Sequence, residues 1–506
     1  MPTRLYATPF TQLLDAPTFR AGLTGQLLPD YLPRQRWFTS KGKTIAGVSV
    51  DRVLPVSPTS ALTLLSVRFT DGSSEAYQLP LALLALDGEV EAYRKQFPEQ
   101  VVGGAAGAGV LVDAVGLAAF RSALYRMMRQ QDQREDGLYC EAGKLLLHAP
   151  EELPSTVPAI DTSNTAIIYG NRFFFKLFRK LDPGLNPDLE LVRYLSEETP
   201  FDHCPPYGGS LGLGKMDDPA FINLGLLSGK MDNRGDAWEL FQQLTQNYYA
   251  GDGTVNVATR RRATLLGERT AQMHRALAAA GADHPDLRPK PMTSDYRKEI
   301  TAAARKLLDR QMEQLKNKVD RLPPESLVLA RQVIDKTFEL DARLGALERR
   351  NVGGQLIRIH GDYHLGQVLT TDDDYVIIDF EGEPLLTIPE RRRRRPALKD
   401  VAGMVRSFHY AAHAQLLLNP ERYADQDTEM LSARAETWYQ TVSRAYLDGY
   451  YGEAGQADFL PEVEEDRRAL LELFMLEKAV YEVAYELNSR PAWLGIPLRG
   501  VLALAS

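Results

Sequence analysis

Apolar residues are spaced in two ways along this chain of 506 residues. In the first half they come in short runs closed by turn residues. Residues 50–56, 62–69 and 76–79 read as strands, with Asp71-Gly72 supplying a hairpin turn between two of them. Residues 165–169 and 173–178 flank Gly170-Asn171, another hairpin signal. Glycine-rich residues 103–109 predict a bend or an irregular loop. The spacing then changes. Leu191, Val192 and Leu195 recur at helical intervals behind acids in a first turn, so residues 187–195 predict a helix. Beyond residue 235 the pattern is mainly helical. Leu308, Met312, Leu315 and Val319 form an apolar stripe on one long helix. Pro323-Pro324 stops it, residues 327–344 give a second, and the two read as an antiparallel pair within the chain rather than a dimerising coiled coil. Residues 467–488 predict a C-terminal helix.

Two apolar runs interrupt that helical half, 356–359 and 375–378, and the polar residues around them carry the chemistry. His360-Gly361-Asp362 follows the first run, Gln367 comes five positions after Asp362, and Asp379-Phe380-Glu381-Gly382 follows the second. The polar turn 371–374 lies between, as a hairpin requires. Taken one piece at a time, this is a hairpin with an acidic turn. Taken in order, it matches the needs of phosphoryl transfer. An attacking hydroxyl must be aimed and relieved of its proton, and charged phosphates need metal ions held by a carboxylate and a side-chain oxygen. Protein kinases fill these roles with H-R-D-x-x-x-x-N and D-F-G. Here Gly361 replaces the arginine, which points to small-molecule kinases. Gln367 replaces asparagine but keeps an amide oxygen suited to a hard cation, and Glu381 is inserted before the glycine.

A strand lysine, Lys176, stands among Phe174, Phe175, Leu177 and Phe178. An ammonium there needs an anionic partner. In the kinase arrangement such a lysine contacts the donor phosphates and pairs with a helix glutamate, for which Glu190 is the candidate. A lysine reaching to solvent from an edge strand is the plain alternative. Gly209-Ser210-Leu211-Gly212-Leu213-Gly214-Lys215-Met216 nearly spells a P-loop. Met216 has no hydroxyl for a metal, and Asp217-Asp218 would repel phosphate, so it reads as a glycine-rich connector. On the C-terminal helix, Lys478, Tyr481 and Tyr485 share a face, with Glu482 and Glu486 beside it.

These segments resemble the maltokinases, relatives of the aminoglycoside phosphotransferases. The likeness lies in residues 360–369, 378–384 and 398–408. It lies also in Leu28-Pro29-Asp30-Tyr31-Leu32-Pro33-Arg34-Gln35-Arg36-Trp37-Phe38, in Ser163-Asn164-Thr165 and in Phe175-Lys176-Leu177-Phe178-Arg179. The resemblance implies an α+β, bilobal, protein-kinase-like fold. Its parts would be an N-terminal α/β cap subdomain (1–95), a strand-rich N-lobe (96–230) and a mainly helical C-lobe (231–506). It implies ATP and Mg2+ as cofactors and phosphorylation of maltose at the anomeric hydroxyl to maltose 1-phosphate. Asp362 would be catalytic. Ser163, Asn164, Thr165, Lys176 and Glu190 would hold nucleotide, Gln367 and Asp379 the metal, and His364, Lys478, Tyr481 and Tyr485 the acceptor sugar. A functional link to trehalose synthase is also implied. One departure stands at His409, where the family commonly has an acid. A kinase for glucosamine or an aminoglycoside, and a non-catalytic pseudokinase subunit, are the competing readings.

Composition narrows little further. Apolar residues at 44%, charged residues at 25% and a net charge of −8 fit a globular protein and argue against non-specific nucleic-acid binding. Two cysteines, Cys140 and Cys204, fit a reducing cytosol. No signal peptide is evident and no spanning segment is expected. The arginine run 391–395 reads as a solvated loop. Asp400 reads as the N-cap of a helix over 401–410. Monomer and homodimer stay open.

Overall fold

The computed structural model describes residues 10–86, 88–105, 109–159, 163–216 and 218–505. The chain forms two compact units. The first runs to residue 193 and adds 205–231 and 387–389. The second takes 194–204, 232–386 and 390 onward.

The first unit contains two six-stranded sheets. In the first sheet Ile45–Ser57, Ser60–Phe69, Ser74–Leu84, Val110–Asp113 and Val101–Gly104 follow one another antiparallel, and Lys180–Leu181 pairs with Ser74–Leu84. The Asp71-Gly72 turn is present, with Gly72 at φ 85°, a backbone state that costs glycine little. Tyr31, Trp37, Phe38, Tyr77, Leu79 and Leu81 belong to its core. The expected irregular stretch 103–109 splits: residues 103 and 104 end a strand, and 106–108 lie outside the described residues.

The second sheet has the order Leu138–Ala142, Tyr207–Leu213, Ile222–Gly229, Phe173–Leu177, Thr165–Tyr169, Ser155–Thr156. Phe173, Phe175 and Leu177 point into its core while Phe174 and Lys176 alternate outward, as a period of two requires. The residues read as a connector around Gly209 are instead an inner strand, with Met216 just beyond it. The glycines serve packing: a Cβ on Gly212 would lie 2.3 Å from the Phe221 ring. The helix expected at 187–195 is Pro187–Glu198.

The second unit is built mainly of helices. Val257–Ala278 crosses Thr428–Ala454 so closely that a Cβ on Gly267 would be 2.0 Å from the Tyr446 carbonyl, and one on Gly449 2.1 Å from that of Thr264. The apolar stripe lies on Ser294–Lys318. The expected partner at 327–344 is two helices, Pro324–Asp335 and Thr337–Arg349, because Lys336 leaves helical geometry at ψ 3°. Glu464–Ser489 packs on both Ser294–Lys318 and Leu398–Leu418. Among the described residues, no helix is long and apolar enough to cross a membrane.

Candidate active site

In the first unit, Lys176 donates to Asp188 Oδ2 at 2.9 Å. Both are largely covered, with side-chain exposures of 18% and 5%. Asp188 is a partner that sequence reasoning missed. Glu190, expected in this role, follows two positions later on the same helix and is half-buried. The signal was a pair of acids in one first turn, and nothing local says which faces the sheet. Asn164 and Thr165 turn toward Arg179. Asn164 Oδ1 accepts from the Arg179 amide at 3.4 Å, and Thr165 Oγ1 accepts from its Nε at 2.7 Å. Ser163 is exposed.

In the second unit, the loop carrying Asp362 is held from several sides. Asp400, buried in the Leu398–Leu418 helix, accepts from the amides of His360 at 2.7 Å and Gly361 at 2.9 Å. It also meets His274 Nε2 at 3.2 Å, and His274 Nδ1 meets the Tyr450 hydroxyl at 2.9 Å. Asp400 is therefore not an N-cap: the helix starts earlier, at Leu398, and the carboxylate serves the loop. Burial raises the Asp400 pKa, but His274, His360 and the Gly361 amide outweigh that, so it lies below its ordinary value. His360 Nε2 lies 2.9 Å from the Ile378 carbonyl and its Nδ1 3.4 Å from the Asp362 amide. The same helix touches the loop elsewhere. Ser407 Oγ accepts from the Leu365 amide at 3.1 Å, and a Cβ on Gly403 would be 2.5 Å from the Tyr363 carbonyl.

Gln367 and Asp379 are brought close by strand register. Val368 pairs with Ile377, and the Ile378 amide donates to the Gln367 carbonyl at 3.0 Å. Asp379 follows at φ 66°, a left-handed state that aspartate tolerates better than most residues. An amide oxygen and a carboxylate on neighbouring backbone are hard donors of the kind Mg2+ takes.

Lys478 Nζ stands 3.4 Å from Asp362 Oδ1. Burial works against the ammonium, but Asp362, Glu482 and Glu383 more than compensate, and the Lys478 pKa is raised. His364 Nδ1 accepts from the Gly366 amide at 3.1 Å, which leaves its Nε2–H as a donor. Burial lowers its pKa, so the ring is neutral at neutral pH. Tyr481 is half-buried and Tyr485 is 50% exposed, so neither fills the core. Glu482 and Glu486 are already engaged. Glu482 Oε2 takes two donors from Arg406 at 3.0 and 2.6 Å, and Glu486 meets Arg490 and the Tyr410 hydroxyl. Trp493 stacks on Tyr410 with Arg490 over its ring, closing the helix end.

His409, where the family commonly has an acid, accepts from Arg406 Nη1 through Nδ1 at 3.1 Å. Its Nε2 must then carry a proton, which removes it as a metal ligand despite the nearness of His413 and Glu436. The arginine run lies at the surface as expected, with its guanidinium groups engaged. Arg392 pairs with Asp286 and Arg393 with Glu299, while Arg391 and Arg394 donate to backbone carbonyls. A cavity of ≈ 240 Å³ lies against the loop, walled by Gly361, Gly382, Glu383, Arg391, Arg395 and Glu477.

The first unit carries a strand lysine held by a carboxylate, the second an aspartate on a pinned loop and a hairpin-borne aspartate, and the chain has a kinase-like phosphotransferase fold. The comparisons agree. Residues 162–382 match the model of the phosphotransferase enzyme family, and residues 31–116 match the maltokinase N-terminal cap domain. The chain is thus a maltokinase-like protein. It is 27% identical over 347 residues to a glucosamine kinase of Streptacidiphilus jiangxiensis, covering 67% of this chain and 70% of that one. It is 32% identical over 148 residues to a glucosamine kinase of Mycolicibacterium smegmatis, covering 29% of this chain and 33% of that one. A solved structure of a glucosamine kinase in complex with glucosamine, ADP and inorganic phosphate aligns over 95% of this chain and 98% of that one, with TM-score 0.63 at 22% identity. Another solved glucosamine kinase structure, crystal form A, gives TM-score 0.62 at 22% identity.

Proposed function

We propose that this protein phosphorylates maltose at its anomeric hydroxyl, using ATP and Mg2+, to give maltose 1-phosphate. Asp362 orients the hydroxyl and takes its proton as the oxygen bonds to the γ-phosphorus. The bond from that phosphorus to the β-phosphate oxygen breaks, and ADP leaves with the electron pair. Lys176, steadied by Asp188, is assigned to the donor phosphates, with Ser163, Asn164, Thr165 and Glu190 in the nucleotide set. Gln367 and Asp379 would hold Mg2+, which when bound neutralises phosphate charge. His364 donates from Nε2 to a sugar oxygen, and Tyr481 and Tyr485 offer rings to the C–H faces of a sugar.

The observation that carries the choice of acceptor is the Lys478 ammonium 3.4 Å from Asp362. A cation there penalises a protonated amino sugar and tolerates a neutral disaccharide. Two of the nearby acids are spent, Glu482 on Arg406 and Glu486 on Arg490, while Glu383 also acts on Lys478. Phosphorylation of glucosamine is the second reading, favoured by the names of the relatives. Steady-state release of ADP with maltose, glucosamine and an aminoglycoside as acceptors tests the choice. Maltose should give the highest kcat/KM. A higher value for glucosamine supports the second reading, and no turnover with any acceptor supports a non-catalytic role.

A further inference from the structure

Arg406 lies in the Leu398–Leu418 helix with its side chain 2% exposed. Its Nε and Nη2 both donate to Glu482 Oε2, at 3.0 and 2.6 Å, and its Nη1 donates to His409 Nδ1 at 3.1 Å. The last helix, Gly495–Ala505, makes room for it: a Cβ on Gly500 would stand 2.1 Å from Nη1. Glu482 comes four residues after Lys478 on Glu464–Ser489, the spacing at which a lysine and a glutamate meet on a helix. Among the described residues no ion pair joins them, and the Lys478 ammonium goes instead to Asp362, at 3.4 Å.

Four charges of alternating sign thus run from the core to the catalytic loop: Arg406, Glu482, Lys478 and Asp362. Two cations compete for the one carboxylate of Glu482. The guanidinium wins because its donors lie in one rigid plane and two of them converge on Oε2. Gly500 and His409 fix that plane. Glu482 still attracts the ammonium: burial disfavours the charge on Lys478, and Asp362 together with Glu482 restores it. A buried carboxylate that loses its cation is strongly destabilised. Without Arg406, the Lys478 ammonium is the replacement within reach on the same helix.

We infer that Arg406 is a positioning residue for the acceptor site: by engaging Glu482 it leaves the Lys478 ammonium beside Asp362 and so sets the preference for a neutral sugar. This rests on the reading of Lys478 as the charge that selects the acceptor. Arg406, His409 and Gly500 are assigned no contact with substrate.

The test uses the full chain and reads the glucosamine-to-maltose ratio of kcat/KM for Arg406→Met, Glu482→Gln and the double variant. Arg406→Met should raise the ratio by about fivefold, because Glu482 then draws Lys478 away from Asp362. Glu482→Gln should leave the ratio near wild type. The double variant should return it there, since a neutral amide has no hold on the ammonium; a merely structural loss would not be rescued by a second change in the core. Gly500→Ala, whose methyl displaces the guanidinium, should move the ratio in the same direction, be rescued by Glu482→Gln in the same way, and serves if Arg406→Met does not fold. An unchanged ratio in folded variants overturns the inference, as does a raised ratio that Glu482→Gln does not restore. A wild-type chain that prefers glucosamine overturns instead the acceptor reading on which the inference rests, and that is read on the wild type alone.

Discussion

Asp362 has its backbone tied to His360 and its carboxylate set against Lys478. Asp362→Asn should lower kcat by roughly 10²–10⁴-fold while thermal melting and ATP affinity, measured by titration calorimetry, stay near wild type. Loss of folding together with activity would assign Asp362 a structural role. Lys478→Met should raise the glucosamine-to-maltose ratio of kcat/KM by about tenfold, read from the same acceptor panel, and an unchanged ratio removes Lys478 as the source of selectivity. Asp400 gives a pH prediction. Its folded pKa is depressed, so the fold favours its charged form. That stabilisation is complete above the unfolded value of about 4 and is lost as pH falls through the folded value. Asp400→Asn should therefore melt lower at neutral pH and lose less stability on acidification than wild type. Parallel acid profiles would show that Asp400 does not couple its charge to the loop.

At the scale of elements, the short strands and their hairpin turns were legible because glycine and asparagine mark turns locally. The order of Asp362, Gln367 and Asp379 was legible for a related reason: a hairpin brings near what a dozen residues separate. Longer partnerships were not legible. Asp188 and Glu190 share one helical turn, and only packing of Pro187–Glu198 against the sheet brings Asp188 to Lys176. Asp400 carries a sound local signal for capping, yet two backbone amides some forty positions earlier claim it. Residues 327–344 contain no proline, so the break at Lys336 had no local mark; the inner strand at Gly209–Gly212 was hidden because glycine argues against strands. Gly403 shows what such contacts demand. Gly403→Ala would push a methyl toward the Tyr363 carbonyl and should cost about 1–3 kcal/mol in denaturant unfolding, with a fall in kcat. Neutral behaviour would mean that helix and loop move apart freely.

At the scale of the whole molecule, the two sequence models cover different parts of the chain. The cap model covers 31–116 and the phosphotransferase model 162–382, while Lys478, Tyr481 and Tyr485, the residues proposed for the acceptor, lie beyond both. That is why the class of reaction is the firmer result and the acceptor rests on the charge beside Asp362. Phosphorus NMR of the product formed from maltose, ATP and Mg2+ tests the central claim most directly. The account predicts a new doublet, the phosphorus split by the single anomeric proton of maltose 1-phosphate. A phosphate coupled to a methylene, or ATP left unconsumed with maltose while glucosamine is phosphorylated, contradicts it.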